Sequence, residues 1–171
     1  MTLRKSLLLA SAVLALAGCG GGKSPAAAPD TKRNGGAYDA VDVCTLATDD
    51  QLKAALGEGA GGKERRDTDS LKACAVDGSA GNFYLFVTVV RPALPTAQQL
   101  AYDKGAVQGA KDIDATTFSY ADDDQAYVET ADGELVLRVS LVYYVDSGSI
   151  TDAPALITRL HTLLGQIVQK V

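Results

Sequence analysis

Few side chains in this sequence are equipped for chemistry. Its 171 residues hold three cysteines and one histidine, with no tryptophan. Redox motifs place two cysteines two residues apart, whereas Cys44 and Cys74 are widely separated. A structural zinc site needs four ligands, and His161 does not complete one. A serine triad needs a base held beside the nucleophile; His161 is the only histidine, and no GxSxG elbow is present. No glycine loop ends in the Lys-Ser/Thr that cradles phosphate. Paired carboxylates can cleave glycosidic bonds, but among 21 acidic residues such pairs arise by chance. The run Asp122-Asp123-Asp124 lacks the alternating ligands, the glycine and the distal glutamate of a calcium loop, so it reads as a turn. Lys63, Arg65 and Arg66 are interleaved with Glu64, Asp67 and Asp69, which suits a solvated loop rather than an anion site. The net charge of −5 argues against nucleic acid, which calls for a basic face. These residues point to a protein that is no enzyme and has no cofactor or metal.

The elements that position these residues begin with a leader. Arg4 and Lys5 precede an apolar run over 7–17. A membrane span needs about 20 apolar residues, so this run reads as the core of a secretory signal. Leu16-Ala17-Gly18-Cys19 follows and resembles the lipobox of bacterial lipoproteins. That resemblance implies cleavage before Cys19 and a diacylglycerol on its thiol. Residues 1–18 are then a signal peptide whose loss removes two positive charges. Two acyl chains suffice for stable membrane attachment, and the acidic domain leaves the anchor to do the holding. Residues 19–37, the lipidated cysteine and a stretch rich in Gly, Pro and Ala, read as a flexible tether spanning roughly 20–25 Å. A single extracytoplasmic domain is expected over 38–171. In that oxidising compartment the remaining even pair is expected to form a Cys44–Cys74 disulfide.

Apolar periodicity predicts an α+β domain. Thr48-Asp49-Asp50-Gln51 is a capping box opening a short helix that Gly57 stops. Residues 58–69, rich in glycine and charge, read as a surface loop. Strands are predicted over 71–76, 82–91, 116–120, 125–130 and 134–145, with a hairpin at Asp132-Gly133. A second capping box, Thr96-Ala97-Gln98-Gln99, predicts a helix to about residue 110, with Ala97, Leu100, Ala101 and Val107 inward. A long helix over 152–169 carries Leu156, Leu160, Leu163, Leu164 and Ile167 in one stripe, with Asp152 as its cap and His161 facing solvent. Hairpin-linked strands argue for an antiparallel sheet of about five strands with helices packed on one face.

Asp42-Val43-Cys44-Thr45-Leu46, then Leu56-Gly57, then Cys74, resemble a family of uncharacterised actinobacterial lipoproteins, domain of unknown function 3558. Val43 stands where that family has proline, and Val76 where it has tryptophan. The resemblance covers most of 41–74 and implies a lipid-anchored domain of the cell envelope, with no activity attached. The element order is also similar to the Mog1/PsbP-type fold, an analogy of architecture alone. The expected function is a non-enzymatic binding or interaction module for an envelope protein or polymer. The alternative is a carrier of a hydrophobic ligand in a pocket between sheet and helices. The strand over 82–91 is apolar on both faces. Tyr84, Phe86, Val90, Val136, Val142 and Tyr144 therefore either lie under the helix after Thr96 or form a binding surface, with Tyr84 and Tyr144 as candidate ligand contacts.

Overall fold

Seven strands hydrogen-bond into one antiparallel sheet, two more than the pattern of hydrophobic residues suggested. The computed structural model describes residues 36–57, 59–78, 81–144 and 148–171. The leader, Cys19 and most of the tether lie outside the described residues, as does Val145. In chain order the elements are α1 (Gly36–Ala40), a 3-10 turn (Val43–Thr45), α2 (Asp49–Leu56), β1 (Ala60–Asp67), β2 (Leu71–Gly78), β3 (Phe83–Val90), α3 (Thr96–Gly105), β4 (Lys111–Asp112), β5 (Thr117–Ala121), β6 (Gln125–Asp132), β7 (Leu135–Tyr143) and α4 (Ala153–Val168). The sheet runs β1-β2-β3-β7-β6-β5-β4, which places β7 at its centre.

The two additional strands are edge strands. β4 has only two residues. β1 falls where a surface loop was expected, because glycines and charges disfavour strands by propensity. Pairing overrides that preference: Arg65 sits opposite Cys74 and Asp67 opposite Lys72 on β2. From Gly61 onward its side chains are exposed, so charge costs nothing there. Charged side chains on an outer strand also discourage pairing with a second chain.

The core lies between one face of the sheet and the helices α2 and α4. Leu85, Val87 and Val89 of β3 and Leu137, Val139 and Leu141 of β7 meet Leu160, Leu163, Leu164 and Ile167 of α4 in one buried cluster. α4 begins as expected, with the Asp152 carboxylate accepting from the Ala155 N–H at 3.1 Å. α2 has the expected capping box, and Gly57 takes the left-handed conformation (φ 80°) that ends it. Gly133 (φ 56°) supplies the backbone twist of the two-residue β6–β7 turn, in which Asp132 pairs with Leu135.

α3 departs from expectation in three ways. It lies on the opposite face from α2 and α4, packed against β6 and β7, so the helices occupy both faces. It ends at Gly105 rather than near 110. Thr96 does not cap it: Pro95 holds the cap position without a side-chain bond, and the Thr96 hydroxyl donates to the Gly133 carbonyl at 3.1 Å. No α3 side chain is fully buried; Ala97 and Ala101 are exposed, and Leu100 and, just past the helix, Val107 are half-buried.

Candidate functional site

A disulfide between Cys44 and Cys74 fixes the segment before α2 to the sheet, with the Cα atoms 5.0 Å apart. Cys74 is buried in β2, and Cys44 is half-buried in the 3-10 turn. A second clamp lies just upstream. The Lys72 ammonium, almost wholly buried, donates to the carbonyls of Asp39 (3.0 Å) and Val41 (2.9 Å). The buried Tyr38 ring lies beside Lys72 and the Arg91 guanidinium, 5.0 and 4.2 Å from its centroid, and Arg91 also pairs with Asp39 at 2.7 Å. Desolvation pushes the Tyr38 hydroxyl above its ordinary pKa, with Arg91 acting the other way.

The basic trio of β1 is engaged residue by residue. Lys63 pairs with Asp49 at 2.8 Å, Arg65 with Asp67 at 2.7 Å and Arg66 with Glu64 at 2.6 Å. Arg65 and Arg66 thus take interleaved carboxylates, as the sequence suggested, whereas Lys63 reaches across to α2, and all three lie on a strand rather than in a loop. At the acidic triplet, Asp122 Oδ1 accepts from the N–H groups of Asp124 (2.9 Å) and Gln125 (2.8 Å), and the turn joins β5 to β6. His161 is exposed on α4. An open groove of about 290 Å³ lies between α2 and α4, lined by Ala54, Ala55, Thr158, Arg159 and Leu163 among others.

The sheet face away from α4 contains the expected tyrosine pair. Tyr84 on β3 sits opposite Val142 on β7, so Tyr84 and Tyr144 converge at one end of this face. Their rings meet edge to face with centroids 4.6 Å apart, and Phe86 lies 5.7 Å from Tyr84 on the other side. The Tyr144 N–H donates to the Asn82 carbonyl at 3.0 Å. Burial and the adjacent Tyr84 hydroxyl push the Tyr144 hydroxyl up to about 12. All four outward side chains of β3, namely Tyr84, Phe86, Thr88 and Val90, are half-exposed. Among the described residues α3 thus covers the β6 side of this face and leaves the aromatic row on β3 half-exposed.

Under α3 lies a pair that the sequence reading missed. Glu129 on β6 is 1% exposed and pairs with Arg138, its cross-strand neighbour on β7. Arg138 also stacks over the Tyr127 ring at 4.6 Å. Phe118 of β5 and Val136 of β7 are buried beside them. Burial raises the Glu129 carboxyl to about 7, Arg138 opposes that rise, and Asp103 of α3 adds to it. A signal for this pair existed: a two-residue turn pairing 132 with 135 also pairs 129 with 138, which sets opposite charges side by side.

Among the described residues, no helix is long and apolar enough to cross a membrane. The chain matches no family model, no curated protein and no solved structure.

Proposed function

We propose that this chain is a lipid-anchored binding module of the cell envelope that works without catalysis. The anchor rests on Leu16-Ala17-Gly18-Cys19 and on the resemblance of the 41–74 region to envelope lipoproteins. A diacylated Cys19 and a tether over 19–37 would hold the domain at the extracytoplasmic face of the membrane. The single observation carrying the binding reading is the half-exposed aromatic row Tyr84, Phe86 and Tyr144 on an apolar sheet face. Tyrosine offers a rigid, broad contact area with a polar tip, a combination enriched where proteins meet partners. An envelope protein or polymer laid across this face would cover it.

The test is site-specific photo-crosslinking in cells expressing the full chain. A crosslinking residue at Tyr84 is expected to give a defined adduct. The same residue at Tyr102, 68% exposed on the outer side of α3, is the control and should give none. Tyr84→Ala together with Tyr144→Ala should abolish the corresponding adduct formed from position 86 while the protein remains folded. Equal labelling at 84 and 102, or none at 84, rejects this surface. The anchor is tested separately with Cys19→Ser, expected to release the protein from membranes or leave it uncleaved.

A further inference from the structure

α3 is an unusual lid. It packs on the sheet without burying one side chain completely, and its first residue has no side-chain cap. Its ties are the Thr96 bond to Gly133, the half-buried Leu100 and Val107, and Lys104, which pairs with Asp112 of β4 at 2.5 Å. Beneath it sits a fully enclosed carboxyl. Glu129 Oε2 is held by Arg138, whereas no donor among the described residues reaches the buried Oε1. The α3 side chain that interacts with this carboxyl is Asp103, itself bound by Gln99 at 3.0 Å. Ionised carboxylates offer acceptor oxygens only, so these two can bond only if one carries a proton.

We propose that α3 is a proton-dependent cover, held on the sheet by a hydrogen bond from protonated Glu129 to Asp103 and released when Glu129 ionises. The proposal does not depend on what the open aromatic row binds. The charged and titratable groups around Glu129 are Arg138 from β7, Tyr127 from its own strand, Asp103 from α3 and, beyond Tyr127, Tyr120 of β5. Lys104, the other charged side chain of α3, is turned to Asp112. Arg138 favours ionisation, but it is shared with the Tyr127 ring and does not reach Oε1. Desolvation dominates, which fits the rise of the Glu129 carboxyl to about 7.

The direction of the pH effect follows from linkage. Below 4.5, the ordinary value, Glu129 is protonated whether α3 is open or closed, and the opening equilibrium is flat. Between 4.5 and about 7 the closed form keeps a proton that the open form releases, so opening grows about tenfold per pH unit. Above about 7 both forms are ionised and the closed form is at its weakest. Opening would uncover Phe118, Tyr127 and Val136, extending the aromatic row across β7 and β6.

Hydrogen exchange of the full chain, followed by mass spectrometry from pH 4.5 to 8 and corrected for intrinsic chemistry, tests this. Protection across 96–105 should fall by about 100-fold or more over that range, while α4 stays protected. Glu129→Gln, a permanent donor of the same shape, should keep α3 protected throughout. Asp103→Asn lets residue 103 donate to ionised Glu129 and should move the transition to lower pH while retaining protection at pH 8. pH-independent protection in the wild type overturns the proposal, as does pH dependence persisting in Glu129→Gln. Should Glu129→Gln fail to fold, the isosteric variant Asp103→Asn decides, and an unchanged transition there overturns the proposal equally.

Discussion

The two faces of the sheet are built on opposite plans. Toward α4, every inward side chain of β3 and β7 from Leu85 to Val89 and from Leu135 to Leu141 is aliphatic and buried, and the facing helix contributes a matching stripe. Toward α3, the same strands carry Tyr84, Phe86, Thr88, Arg138 and Ser140, all only half-buried. One carboxylate, Glu129, is enclosed there beneath a helix that buries nothing completely, while its partner Arg138 stays partly exposed. Close packing on the first face makes it the seat of stability. Polar and aromatic variety on the second makes it the place where the molecule can change its contacts without unfolding.

Substitutions can break this contrast in order of size. Leu160→Ala removes a side chain of zero exposure from the centre of α4 and should cost about 3–5 kcal/mol by chemical denaturation. A cost below about 1 kcal/mol would show that α4 does not carry the core. Removing the Cys44–Cys74 link with a double serine substitution should cost roughly 3–4 kcal/mol, from loop closure in the unfolded chain. The loss should appear as a lower denaturation midpoint, and non-reducing peptide mapping of the wild type should recover the linked pair. Leu100→Ala, from the half-buried side of α3, should cost about 1 kcal/mol or less. A cost as large as that of Leu160→Ala would erase the distinction between the faces.

Where periodicity was strong, the sequence was a good guide. The alternation over 134–145 marked the central strand β7, the stripe from Leu156 to Ile167 marked α4, and Thr48-Gln51 marked the cap of α2. These are local patterns tied to one buried surface. β1 escaped because its strand state is imposed by β2 and not by its own residues. The sheet was therefore read as about five strands. Thr96 escaped for a related reason: a hydroxyl suited to capping is engaged instead by Gly133 of a hairpin 37 positions away. At the site, Tyr84 and Tyr144 could be placed together once both strands were assigned, because alternation puts them on one face. The turn register could set Glu129 opposite Arg138, but its burial could not be foreseen without knowing that a helix would close over it.

The Cys44–Cys74 link also has a mechanical meaning. A chain pulled from its N-terminus transmits tension through α1 and the clamp formed by Tyr38, Lys72 and Arg91, and then reaches Cys44. From there the covalent route crosses directly to Cys74 on β2 and bypasses the intervening loop. The residues between, including α2 and β1, lie off the line of force and stay slack while the sheet is loaded. A partner gripping the β3 side of that sheet would therefore be coupled to the N-terminus first through the Lys72 and Arg91 clamp and, once that yields, through the sulfur bridge and the β2–β3 hydrogen-bond ladder, whose bonds share the load along its length.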